Sequence, residues 1–162
     1  MNRVGNPDRT ILIADDETHI LRNLEGILRA RGFEHIITCN DARTLPAMVG
    51  SNTVEVLLLD LTMPYRSGID LLPELHDSFP DMPIIVITGT SEIEVAVQCM
   101  KLGAFDYLVK AIDESKLITT VSHALALCDL RRENAALKNH LVSSSLEHPE
   151  ALRDYLYSLR FD

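Results

Sequence analysis

Five short apolar runs recur along the chain, and the stretches between them carry their apolar residues at helical spacing. The runs are TILIA (10–14), HIITC (35–39), VEVLLL (54–59), PIIVIT (83–88) and FDYLV (105–109). The runs are near-continuous rather than alternating, as strands buried on both faces must be. Between the first two, Ile20, Leu21, Leu24, Ile27 and Leu28 predict a helix over Thr18 to Arg31, with Gly32 as its stop. Further helices are predicted from Asp41 to Val49, from Gly68 to Phe79, and from a capping box at Ser91-Glu92-Ile93-Glu94 to near Gly103. A long helix starts near Asp113. Strand and helix in strict alternation predict an α/β fold: a five-stranded parallel sheet with helices on both faces.

That fold needs a core, and the composition can supply one, since 46% of the 162 residues are hydrophobic. A net charge of −9 and a pI near 5.0 argue against nucleic-acid or acidic-lipid binding by this segment. No apolar run is long enough for a membrane span, and the N-terminus lacks a signal-peptide core. Cys39, Cys99 and Cys128 are odd in number and widely spaced, so reduced thiols and a cytoplasmic location are expected.

In an open parallel sheet, ligands bind beyond the carboxyl ends of the strands. Here the first strand ends in Asp15-Asp16-Glu17, the third in Asp60, the fourth in Thr88 and the fifth in Lys110. Each has an ordinary reading alone: Asp16 as a helix cap, Asp60 as an Asx-turn residue, Thr88 as a strand terminus, Lys110 as a solvated charge. Together they place three carboxylates, a hydroxyl and an ammonium around one mouth. Carboxylates so crowded need a counter-charge, and all-oxygen ligation suits a hard divalent cation, Mg²⁺ foremost. The same set is equipped for phosphoryl transfer, with Asp60 as nucleophile and the ammonium and hydroxyl on the phosphoryl oxygens.

ILIADDE, VLLLDLTMP…SGIDLL, IIVITG and KLGAFDYLVK resemble, in order and spacing, the receiver domain of two-component response regulators over about residues 8 to 127. The resemblance implies the flavodoxin-like strand order 2-1-3-4-5. It implies that Asp60 accepts a phosphoryl group from a sensor histidine kinase, in a domain that assists its own phosphorylation and dephosphorylation without being an enzyme. It further implies Mg²⁺ held by Asp15, Asp16, Asp60 and the Thr62 carbonyl, contacts from Thr88 and Lys110 to the phosphoryl group, and a switch made of Thr88 and Tyr107. One departure stands out. The family usually has proline after the lysine, with a cis peptide between them, whereas this chain has Lys110-Ala111. A non-proline cis bond costs ~2.5–4 kcal/mol against ~0.5–1 for X-Pro, so a bond relaxed to trans is favoured over a strained cis one.

Other readings are weaker. A haloacid-dehalogenase phosphatase needs a second carboxylate two residues after its aspartate, where this chain has Thr62. A flavodoxin-like cofactor binder needs a phosphate loop after the first strand, and DDETH would repel an anion. A plain interaction scaffold predicts no Mg²⁺ binding.

The expected organisation is a receiver domain over 8–127, a helical linker over 128–143 and a poorly ordered polar tail over 144–162. The linker resembles that of enhancer-binding AAA+ transcription activators, so the expected output is transcription, with a stand-alone phosphorelay or interaction module as the alternative. Leu127, Leu130, Asn134, Leu137 and Leu141 follow 3-4-3-4 spacing. With Leu127 at a, Asn134 falls at a, where a buried amide favours an in-register parallel pair. The helix is therefore expected to form a two-stranded coiled coil and the protein a homodimer.

Overall fold

A computed structural model describes residues 9–147 and 149–159. Its strands are β1 (Thr10–Ala14), β2 (His35–Cys39), β3 (Val54–Asp60), β4 (Ile84–Thr88) and β5 (Asp106–Val109). They form one parallel sheet in the order β2-β1-β3-β4-β5. Five helices are threaded through it: α1 (Thr18–Ala30), α2 (Leu45–Ser51), α3 (Gly68–Ser78), α4 (Ile93–Lys101) and α5 (Glu114–Glu147). A further helix, α6, spans Pro149–Ser158.

The period-two geometry of the strands divides their apolar residues between two cores. Leu12, Ala14, Leu57, Leu59, Ile84 and Val86 face one way and pack with α2, α3 and Cys99 of α4. Ile11, Ile13, Val56, Leu58, Ile85 and Ile87 face the other, against Leu21, Leu24 and Leu28 of α1 and Leu117, Val121 and Leu125 of α5. β1, β3 and β4 are consequently buried on both sides, whereas β2 and β5, at the edges, are half-open. All three cysteines are buried thiols outside any disulfide.

Contacts divide the chain into two units, Met1–Cys128 and Asp129–Asp162. In the first, α5 buries Leu117, Thr120, Val121, Ala124, Leu125 and Cys128. In the second, Leu130, Leu137 and Val142 are exposed on α5, and Leu156, Tyr157 and Leu159 at α6 and just beyond. Within the stretch from 144, α5 continues through Glu147 and α6 follows. Proline is tolerated in the first turn of a helix, where its missing N–H would have had no partner, so Pro149 opens α6 instead of breaking it.

Three local expectations need correction. The helix predicted from Asp41 starts at Leu45, because the Asp41 carboxylate and carbonyl are used first in a turn onto the Arg43 and Thr44 amides. The capping box at Ser91 does not form. Thr90 Oγ1 accepts the Glu92 amide, and α4 starts at Ile93 with Glu92 in the cap position and no side-chain cap. The Lys110–Ala111 peptide is cis, against the favoured expectation of trans. Just before it the Lys110 amide is held by the Thr88 carbonyl at 2.8 Å.

Candidate functional site

The carboxyl ends of β1, β3, β4 and β5 form one mouth, and the chain reaches it by different devices. Asp15 directly follows β1, where its amide donates to the Cys39 carbonyl of β2 at 3.1 Å. Its Oδ1 accepts the Glu17 amide at 2.9 Å, making the turn into α1. Asp16 is left exposed by that turn, and the cap position of α1 belongs to Glu17. Asp16 is therefore not the helix cap. Asp60 ends β3, and its Oδ1 accepts the Thr62 amide at 3.3 Å.

The loop after β3 must turn back sharply. Gly68 allows it, since its amide donates to the Leu61 carbonyl at 2.9 Å and a Cβ there would lie 2.6 Å from Leu61 Cα. Ser67 Oγ then caps α3 by accepting the Ile69 amide.

Asp15, Asp16 and Asp60 each offer a carboxylate oxygen, and these lie within 4.8 Å of one another. Lys110 Nζ sits among them, 2.8 Å from Asp15 Oδ2 and 3.5 Å from Asp60 Oδ2. Asp15 and Asp60 are only 1% and 3% exposed, so two of the three carboxylates are held almost out of water. Burial first, and then the charge of Asp15, push the Asp60 carboxyl up to about 6, although the Thr62 amide and Lys110 oppose this. Burial also works against the Lys110 charge, but the close Asp15 carboxylate and the charges of Asp60, Asp15 and Glu17 outweigh it and raise its pKa. One ammonium against three carboxylates leaves an excess of negative charge in a site with little water to screen it. A hard cation bound by oxygens fits that excess.

Thr88 ends β4, buried, beside the end of β3, and its Oγ1 lies 3.5 Å from the Thr90 amide. Tyr107, on β5, is half-buried, and its hydroxyl donates to the Thr90 carbonyl at 2.5 Å. The structure thus brings Asp15, Asp16, Asp60 and Lys110 into direct company, sets Thr62 against Asp60 through its amide, and ties Tyr107 to the loop after Thr88. The leucines of the predicted dimer helix lie apart from this mouth in sequence. Leu130 and Leu137 are 63% and 62% exposed, Asn134 is exposed, and Leu127 and Leu141 are half-buried.

The sequence reading missed the stacking of Arg43 on Tyr65, in which the guanidinium carbon lies 3.7 Å from the ring centroid. The two residues belong to different loops, and neither shows any local pattern that points to the other.

A parallel sheet of this order, with an acidic mouth and one lysine, belongs to the open α/β class whose ligands bind at the strand ends. The family model of the response regulator receiver domain matches residues 11–122, and the chain belongs to that family. Among curated proteins it is similar to the regulatory protein AtoC of Escherichia coli, 34% identical over 134 residues, which are 83% of this chain and 29% of AtoC. It is also similar to the C4-dicarboxylate transport transcriptional regulatory protein DctD of Pseudomonas aeruginosa, 34% identical over 79% of this chain and 28% of DctD. The chain thus spans under a third of the length of these relatives. Among solved structures, NtrX from Brucella abortus is 32% identical with a TM-score of 0.73, over 79% of this chain and 29% of that one. A CheY-like receiver domain protein from Methanospirillum hungatei is 28% identical with a TM-score of 0.71, over 76% of this chain and 98% of that one.

Proposed function

We propose that this chain accepts a phosphoryl group on Asp60 from a phosphorylated sensor histidine kinase, with Mg²⁺, and so switches a transcriptional output. The observation that carries the reading is the buried Asp60 carboxylate 3.5 Å from Lys110 Nζ, within a three-carboxylate cluster at the strand ends. Asp15, Asp16, Asp60 and the Thr62 carbonyl would hold the cation. Bound there, the cation supplies charge neutralisation for the phosphoryl oxygens and for the carboxylates themselves.

Asp60 Oδ attacks phosphorus, an O–P bond forms, and the bond from phosphorus to the donor's imidazole nitrogen breaks. The electron pair of that bond returns to the donor. Lys110 donates to a phosphoryl oxygen and offsets its charge, and Thr88 offers its hydroxyl to another. No proton need leave Asp60, because its ionised form is the nucleophile. Once formed, the phosphoryl group adds about −1.5 to −2 charge to a buried position. It draws Thr88 toward itself, and the Tyr107–Thr90 hydrogen bond transmits the change to the loop before α4.

The names of the matched relatives, regulators of transcription among them, support a transcriptional output. The exposed leucines of α5 and the heptad placing Asn134 at a support a homodimer through a parallel coiled coil over 127–141, with Glu133 at g and Lys138 at the following e. Among the described residues no helix is long and apolar enough to cross a membrane.

Intact-mass measurement after incubation with acetyl phosphate tests the central step. The wild type is expected to gain one phosphoryl group only when Mg²⁺ is present, and Asp60→Asn none. Equal labelling of Asp60→Asn removes the assignment. Sedimentation of the full chain tests the helix: a dimer that Leu137→Asp leaves intact removes the coiled coil.

A further inference from the structure

Tyr65 has a φ of +72°, and the Arg66 amide donates to the Pro64 carbonyl at 2.9 Å. Together these make a γ-turn of the positive-φ kind, which is strained for a residue with a side chain. Burial does not hold Tyr65 in it, because the side chain is 73% exposed. Arg43 meets it instead, stacked at 3.7 Å. Arg43 is itself fixed, with Nε on Asp41 Oδ1 at 3.1 Å, Nη2 on Asp41 Oδ2 at 2.9 Å, and its amide on Asp41 Oδ1 at 2.9 Å. On the other side of the turn the Arg66 guanidinium pairs with Glu74 of α3. The strained turn is thus pinned from both flanks, by the turn after β2 and by α3.

We infer that Arg43 and Tyr65 are positioning residues for phosphoryl acceptance: their stack latches the 61–67 loop and holds the Thr62 main chain against Asp60. The inference rests on the proposed function. Thr62 lies in the same loop as Tyr65, and its amide reaches Asp60 Oδ1 at 3.3 Å, near the long end of a hydrogen bond. If the γ-turn relaxed, that amide and the carbonyl facing the cation would shift with it. Arg43 contacts Tyr65 and Asp41, and Thr62 is the member of the loop that contacts Asp60, so the latch acts through Thr62.

The test is calorimetric titration of the full chain with Mg²⁺ alone, without any phosphodonor. Tyr65→Leu keeps the charge of the site, and it is expected to weaken Mg²⁺ binding about two- to five-fold, the scale of an exposed cation–π stack. Arg43→Leu removes a positive charge, which by Coulomb attraction alone would tighten cation binding, so a weakening there marks the latch. The double variant is expected to be no weaker than either single one, because both remove the same contact. Tyr65→Phe, which keeps the ring, is expected to bind as the wild type does, and the metal-free melting temperature is expected to fall by no more than about a few degrees in any of the four. Mg²⁺ binding by Tyr65→Leu equal to that of the wild type, or additive losses in the double variant, overturns the latch while Asp60 phosphorylation still stands. A wild type that neither binds Mg²⁺ nor takes a phosphoryl group on Asp60 overturns the function, and the latch with it.

Discussion

The middle of the sheet and its carboxyl edge are built from the same strands to opposite purposes. Along β3, Val56, Leu57, Leu58 and Leu59 are sealed between helices on both faces. One residue further, Asp60 is buried just as completely, beside two more carboxylates. The first arrangement gains from every apolar surface removed from water. The second works against folding, because burial and a like charge both disfavour the ionised carboxylate. The mouth is therefore a site that costs stability, and the surrounding sheet is what makes that tolerable.

Substitutions on the two sides of this line should act with opposite sign. The largest effect is expected in the sheet, where Leu57→Ala should cost about 2–5 kcal/mol in denaturant unfolding. A smaller loss than ~1 kcal/mol would show that the strand packs more loosely than its complete burial implies.

Gly68→Ala should follow, at about 1–3 kcal/mol, because its Cβ would meet main chain at 2.6 and 2.8 Å and α3 or the loop must move. It should also slow phosphorylation, since the atoms it meets are Leu61 Cα and the Asp60 carbonyl.

Asp60→Asn should do the reverse and stabilise the metal-free protein at pH 7 by about 1–3 kcal/mol. Added Mg²⁺ should shrink that difference, because only the wild type keeps the full carboxylate set. The pH dependence gives the gentlest test. Asp60 has a folded pKa of about 6, raised above its ordinary 3.8, so the folded state holds this proton more tightly than the unfolded one. Its contribution is fully present below pH 3.8 and is lost as pH rises through about 6. The stability of the metal-free wild type, measured relative to Asp60→Asn, should therefore fall across that window. A rise instead would mean that Lys110 and the Thr62 amide outweigh burial.

The same contrast explains what could be read from the sequence. β1, β3 and β4 were legible because strands buried on both faces leave continuous apolar runs, and the mouth was legible because charged residues ending such runs have few other reasons to be there. Strand order came from resemblance, since spacing alone does not choose which strands lie side by side. Helix starts were harder. Asp41 and Ser91 both look like caps, but the first is used in a turn onto Arg43 and the second is displaced by Thr90. The Arg43–Tyr65 stack had no signal at all, because it joins two loops through side chains that carry no periodicity. The heptad of α5 was visible as a pattern. Within the second unit its Leu130 and Leu137 are exposed, which is why the pattern enters the account only as a proposed pairing.

One particular buried carboxylate, Asp60, is expected to take the phosphoryl group. Borohydride reduces an acyl phosphate to an alcohol, so reduction of the phosphorylated chain converts the modified aspartate into homoserine. Peptide mapping by mass spectrometry then reads the position. Homoserine at 60, appearing only after incubation with phosphodonor and Mg²⁺, is the predicted result. Homoserine at 15 or 16, or at no position in a chain that binds Mg²⁺, would contradict it.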